Sequence, residues 1–162
     1  MNTTYPMCYS KSIQTRLVLP PDTNHHDSIF GGKVLAYIDE IAAISAMKHS
    51  QGEVVTASFD SVDFVSPAYA GDMIELEAMV TGTGRTSMEV YVRVVSRNVK
   101  TGAKKLTTES FVTMVAIDAE GNPKEVPGVE PETDFERHLF ETGPIRQEHR
   151  KQKRALSKKR RG

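Results

Sequence analysis

From Asp22 to Met47 the chain reads D-T-N-H-H-D-S-I-F-G-G-K-V-L-A-Y-I-D-E-I-A-A-I-S-A-M, a polar loop, a glycine pair and then an unusually apolar helix. Between Lys33 and Lys48 the only carboxylates are Asp39 and Glu40, set among Val34, Leu35, Ala36, Ile38, Ile41, Ala42, Ala43, Ile44 and Met47. A helix apolar on nearly every side is normally a buried one. A carboxylate on it is costly to bury unless paired, hydrogen-bonded or protonated. Asp39 and Glu40 are neighbours, so they point about 100° apart, and at most one faces the same wall as Val34, Ile38 and Ile41. The spacing leaves open which one. The helix is expected from about Gly32 to His49, stopping near Gln51-Gly52.

Upstream, residues 8–19 alternate weakly, with Ile13, Leu17 and Leu19 in phase, and read as a first strand broken at Pro20-Pro21. Downstream come four strand-like segments. Residues 54–65 place Val55, Ala57 and Phe59 on odd positions, then Val62 and Phe64 on even ones. That change of parity predicts a bulge or a sharp bend. Residues 73–80 put Ile74, Leu76, Ala78 and Val80 on one face, and residues 87–97 do the same with Met88, Val90, Val92 and Val94. Residues 105–118 become apolar on both faces, as a central strand would. From Pro131 the pattern is polar and helix-compatible. Strand, long helix, then four strands with short connections predict an α+β fold, an antiparallel sheet with one buried helix against a face. A small sheet cannot cover such a helix all round, so an oligomer is expected.

The 162 residues suit one domain with a sizeable core. No apolar run approaches the ~18 residues of a membrane span. Met1 to Ser10 lacks the basic and apolar regions of a secretory signal. One cysteine, Cys8, excludes an intramolecular disulfide and a cysteine metal cluster. A cytoplasmic protein without membrane contact is the plain expectation. The zero net charge hides an asymmetry: residues 146–162 hold nine Lys or Arg against one acid, Glu148, a formal +8 that leaves −8 on the remainder. Such a tail could meet nucleic acid, but it lacks interleaved aromatics to stack bases. The expectation is a solvated, frayed end, or one docked on the acidic body of its own oligomer.

The residues that invite chemistry each have a plainer reading. Asn24 in Pro-Asp-Thr-Asn is a common turn residue, and Asp39 could face solvent. His25-His26 point in different directions, with His49, His138 and His149 scattered, so no metal site is expected. Cys8 sits near a chain end expected to be mobile and is a weak candidate nucleophile. Gly82-x-Gly84 reads as a hairpin turn, because no helix follows it as a dinucleotide loop requires.

The run D-T-N-x-x-x-x-I-F-G-G-x-x-x-x-x-x-D, followed by V-V-T-A-S-F-D-S-V-D-F, P-A-Y-A-G-D and G-R-T-S-M-E-V, resembles the hotdog-fold acyl-CoA thioesterases, nearest the bacterial acyl-CoA hydrolases similar to the brain-type enzyme. The match covers about residues 10–127. It implies a hotdog domain over 1–130, a curved antiparallel sheet wrapped around one long helix, with 131–162 a helical, basic extension. It implies hydrolysis of acyl-CoA to CoA and a carboxylic acid, without a cofactor, in a dimer assembling to a hexamer. The implied catalytic pair is Asn24 and Asp39, from different subunits across the dimer interface. Asp39 would activate water or attack the carbonyl itself. The Gly31 and Gly32 backbone N–H groups at the helix start would stabilise the oxyanion. Arg85, Thr86 and Ser87, in the matching G-R-T-S, would contact CoA, Arg being suited to phosphates. Glu40 is read as structural. The alternative is a non-catalytic acyl-CoA or nucleotide sensor, against which both Asn24 and Asp39 speak. A hotdog dehydratase would need a differently placed Asp/His pair, and this helix has no His before His49.

Overall fold

The structure, a computed structural model, describes residues 3–162; Met1 and Asn2, the start of the segment read for a signal, lie outside them. The elements run β1 (Thr4–Pro6), α1 (Met7–Ser10), β2 (Ser12–Leu17), a 3-10 turn (Pro20–Asp22), α2 (Gly31–Ser50), β3 (Val54–Phe64), β4 (Met73–Thr83), β5 (Ser87–Arg97), β6 (Lys104–Ala116), β7 (Gly128–Glu130), α3 (Asp134–Glu141) and α4 (Gly143–Arg161). Five strands form an antiparallel sheet in the order β2-β4-β5-β6-β3, and β1 pairs with β7 in a small parallel ribbon. The α+β reading holds. Among the described residues no helix is long and apolar enough to cross a membrane.

One face of the sheet packs on α2. Ile74, Leu76, Ala78 and Val80 of β4, Met88, Val90, Val92 and Val94 of β5, and Val112, Met114 and Ala116 of β6 meet Val34, Ile38, Ile41 and Ala42. The period-2 alternation read from β4 and β5 is the one that faces this core. Each fully buried aliphatic side chain contributes roughly 1.5–3 kcal/mol. α2 ends where Gln51 turns left-handed at φ 56 and its N–H bonds to the Met47 carbonyl. The helix buries only one face within the protomer: Leu35, Ala43 and Ile44 are half-buried and Met47 is exposed.

The parity change in β3 is real. Its register on β6 slips between Thr56 and Ser58 and again between Phe59 and Ser61. These bulges turn successive residues to different sides of the strand. β3 also forms one edge of the sheet, and it carries no proline to block further pairing.

Three expectations fail. Residues 8–19 are not one strand, because Met7–Ser10 makes a helical turn first. Met7 enters the core, and the Ser10 hydroxyl donates to the Met7 carbonyl and accepts the Val80 N–H. Pinned in this way, Cys8 is not at a mobile end. The apolar phase of β2 is also inverted: Ile13 and Leu17 are more than half exposed. The residues turned to α2 are polar, and Gln14 and Arg16 donate to Glu40 at 3.2 and 2.8 Å.

The third failure is the fraying of the basic end, which beyond Arg150 is nonetheless largely solvated as expected. Residues 143–161 are helical, and their first turns clamp onto the sheet face opposite α2. Arg146 donates to both oxygens of Glu89 at 2.9 Å, Arg150 adds 2.7 Å, and the Thr81 hydroxyl adds 2.8 Å. The Arg146 guanidinium also lies 4.3 Å from the Phe111 ring. Burial pushes the Glu89 carboxyl up, but Arg146, Thr81 and Arg150 together hold it below the ordinary glutamate range. A carboxylate so enclosed is stable only with its cations in place.

Candidate active site

The loop ahead of α2 is built by Asn24. Its backbone N–H bonds to the Ser28 carbonyl, and its Oδ1 accepts from His26 N at 2.8 Å, Ser28 Oγ at 3.2 Å and Ser28 N at 3.4 Å. The turn reading is therefore correct, and it has a chemical consequence. With Oδ1 spent on its own loop, the Asn24 Nδ2 amide is left as a donor without a partner among the described residues. The side chain can give a hydrogen bond to an oxygen but has little capacity to accept one.

The loop delivers the chain to Phe30, whose carbonyl takes the N–H groups of Lys33 and Val34 at the start of α2. The N–H groups of Gly31 and Gly32 stand at the positive end of this helix, where the first turn leaves donors without intrahelical partners. A Cβ on Gly31 would meet the Phe64 ring at 3.3 Å, whereas Gly32 faces open space. Beside Gly31 lies an apolar cavity of about 330 Å³, walled by Ile29, Val34, Phe64, Val65, Pro67 and Ala68 among others. Phe30, Phe64 and Tyr69 are exposed around this end of the helix.

Asp39 lies eight residues along α2 from Gly31, about 12 Å of helix rise. It is half-buried, and its Oδ1 accepts the Thr56 hydroxyl of β3 at 2.6 Å. The second oxygen is left for other work. Glu40, 100° round the helix, is instead held by Gln14 and Arg16. Within the protomer Asn24 and Asp39 share no hydrogen bond. The one is fixed at the helix start beside the far end of β3, the other opposite the beginning of β3.

The remaining candidates separate. Ser87 lines a second cavity of about 380 Å³ between the Gly82–Gly84 turn and α4. Arg85 stands outside it, largely exposed, 3.9 Å from Glu125, and Thr86 gives its carbonyl to Ala116 N. The rings of His25 and His26 pack on each other at 3.9 Å rather than diverging. The Cys8 thiol donates to Glu132 at 3.4 Å, a bond that raises its pKa and disfavours the nucleophilic thiolate. Among the described residues no three His, Cys, Asp or Glu side chains gather to hold a metal.

Sequence reasoning missed Thr56 and Glu89. A threonine two residues into a β-rich segment looks like any other, and only the crossing of α2 over β3 makes it the partner of Asp39. The pairing of Glu89 with Arg146 and Arg150 spans 57 and 61 residues, with no local signal.

The Thioesterase superfamily model matches residues 26–103. The acyl-CoA thioester hydrolase YkhA of Bacillus subtilis is 47% identical over 148 residues, 91% of this chain and 86% of that protein. The crystal structure of an apo-hexameric acyl-CoA thioesterase superposes with a TM-score of 0.93 at 66% identity, spanning 95% of this chain and 99% of that one. The acyl-CoA hydrolase of Staphylococcus aureus, solved in complex with butyryl-CoA, CoA and CoA disulfide, gives 0.93 at 49% identity over 96% and 95% of the two chains. That enzyme was also solved with single alanine substitutions at an asparagine, an aspartate and a threonine, spaced 15 and 17 residues apart. Asn24, Asp39 and Thr56 have the same spacings.

Proposed function

The chain belongs to the thioesterase superfamily, with the hotdog fold read from its motifs, and from that premise we propose that it hydrolyses acyl-CoA to CoA and a carboxylic acid in the cytoplasm. The observation that carries this reading is Asp39, held by Thr56 with one oxygen uncommitted, whereas its neighbour Glu40 on the same helix is tied to Gln14 and Arg16. CoA enters as part of the substrate, and no cofactor is required.

In this mechanism the acyl chain occupies the apolar cavity beside Gly31. The thioester carbonyl receives hydrogen bonds from the Gly31 and Gly32 N–H groups as negative charge develops on its oxygen. Asn24 donates from Nδ2 to that oxygen or to the attacking water. Asp39 accepts the water's proton on Oδ2 while Thr56 fixes Oδ1, and the CoA thiolate leaves.

Asn24 and Asp39 come together when two protomers pair along β3. A two-fold axis makes two identical edge strands antiparallel. The Phe64 end of one strand, with Gly31 and the Asn24 loop beside it, then lies near the Thr56 end of the other. The open β3 edge and the half-covered side of α2 support this arrangement, and the hexameric relative supports further assembly of such dimers.

The test is thiol release from butyryl-CoA by the wild type and Asp39→Asn side by side. Turnover by the wild type with loss of at least about 10²-fold in the variant supports the reading. Equal turnover removes Asp39 from the chemistry, and binding without turnover by either favours the sensor alternative.

A further inference from the structure

The two backbone donors at the start of α2 have unequal surroundings. A Cβ on Gly32 would meet nothing, whereas one on Gly31 would lie 3.3 Å from Cζ and 3.5 Å from Cε1 of Phe64. The Phe64 ring rests tip-first on Gly31, and the missing Cβ is what lets it come so near. Strand register sets its direction. Phe64 stands opposite Thr108 of β6, a residue fully buried on the α2 side of the sheet, and directly opposed residues share a face. The ring is nonetheless 56% exposed, so one side of it is turned away from the protomer.

The rest of the acyl cavity is firmly built. Val34, one turn along α2 from Gly31, is buried, and so are Ala68, Thr107 and Thr108. Hydrogen bonds pin the segment that follows β3: Val65 N donates to the Thr107 carbonyl at 2.8 Å, and Ile29 N donates to the Ala68 carbonyl at 2.8 Å. The Ser66 hydroxyl donates to the Leu106 carbonyl at 2.6 Å. A lining packed in this way yields little to an oversized guest. Phe64 is the wall that packs on Gly31, where the carbonyl end of an acyl chain enters.

With Gly32 open and Gly31 walled, a thioester carbonyl held by both N–H groups has room for its CoA arm on the Gly32 side. Its acyl arm then runs past Phe64 into the cavity. We infer that Phe64 is a specificity-determining residue, whose ring narrows the pocket at the first carbons beyond the carbonyl and reserves the site for acyl groups unbranched there. The inference rests on the thioesterase reading and deepens it by naming the substrate class, straight-chain acyl-CoA. A methyl branch next to the carbonyl must displace either the ring from Gly31 or the carbonyl from its donors. In the pairing of protomers along β3 the exposed side of the ring faces the partner strand, which backs the ring and leaves the cavity on the α2 side.

The test uses two acyl groups of equal carbon count, butyryl-CoA and 2-methylpropanoyl-CoA, and octanoyl-CoA as a third substrate, on the wild type, Phe64→Leu and Phe64→Ala. Each comparison is a ratio of kcat/KM within one protein, so a smaller active fraction in a variant cancels. The wild type should prefer butyryl-CoA to its branched isomer by about tenfold or more, the size of one misplaced methyl in an apolar pocket. Phe64→Ala should bring that preference below about threefold, with Phe64→Leu in between. The ratio of octanoyl-CoA to butyryl-CoA should change by less than about threefold, because the ring stands at the entrance rather than the far end. A wild-type preference near one overturns the inference. So does a preference that survives in Phe64→Ala, or an octanoyl ratio that rises as much as the branched one. Should Phe64→Ala fail to fold, as read by thermal melting, Phe64→Leu decides, and a preference equal to the wild type's overturns the inference. Should the wild type hydrolyse none of the three, the thioesterase reading fails and calorimetric titration with the two isomers decides this one: equal affinities overturn it.

Discussion

Thr56 donates its hydroxyl to Oδ1 of Asp39 over 2.6 Å, joining the first residues of β3 to the middle of α2. The bond leaves Asp39 one oxygen for proton transfer and fixes where that oxygen points. Thr56→Ala should therefore lower kcat about tenfold or more with KM little changed, the loss of one hydrogen bond to a charged group. Thr56→Ser should recover most of the activity. Steady-state kinetics on butyryl-CoA check both, and equal defects in Ala and Ser would show that packing of the methyl group matters instead.

Asn24 acts through its amide protons, since its oxygen serves the loop. Asn24→Asp keeps the loop acceptor but replaces the donor with a charge near the developing oxyanion. It should cost at least as much kcat as Asn24→Ala, on the order of 10²-fold. A change confined to KM would assign Asn24 to binding.

Glu89 is the counter-ion for two arginines at a face only 3% exposed at its side chain. Glu89→Ala leaves Arg146 without its carboxylate and Arg150 with only Asp60 at 4.0 Å, and should destabilise the fold by about 3–5 kcal/mol, read by thermal melting. Its folded pKa lies below the ordinary value of 4.5. Its contribution is therefore complete above about pH 4.5 and is lost as the pH falls through the lower folded value. Deleting residues 146–162 should destabilise similarly, because it strands Glu89.

His49 is fully buried with Nε2 2.9 Å from the Pro127 carbonyl, joining α2 to the segment that leads into β7. Burial lowers its pKa below 6.5 against a smaller opposing effect of that carbonyl. The unfolded chain takes this proton near pH 6.5, the folded one only at lower pH. Stability from this site is thus whole above 6.5 and is lost as pH falls through the folded value. Melting temperatures of wild type and His49→Gln should converge on acidification; parallel curves would remove His49 from the pH response.

Much of this was legible in the chain. The alternation in β4 and β5 named their core faces because each strand buries one side completely, and the parity break in β3 announced its bulges. β2 misled because its apolar residues Ile13 and Leu17 face outward while Gln14 and Arg16 turn to the helix and are satisfied by Glu40. A hydrophobic pattern cannot distinguish a core face from one left for a partner. The loop glycines and Asn24 stood out through their motif, whereas Thr56 and the Glu89 cluster depend on contacts between distant segments.

The composite site is tested most directly by mixing subunits. Asn24→Ala and Asp39→Asn proteins, each inactive, are unfolded, combined in equal amounts and refolded, and thiol release from butyryl-CoA is measured. With the two residues supplied by different protomers, half of the dimers are mixed and each has one intact site. Activity should return to about a quarter of the wild type. No recovery above the separate variants, with mixed dimers verified by mass, would place Asn24 and Asp39 in the same protomer's site and contradict the account.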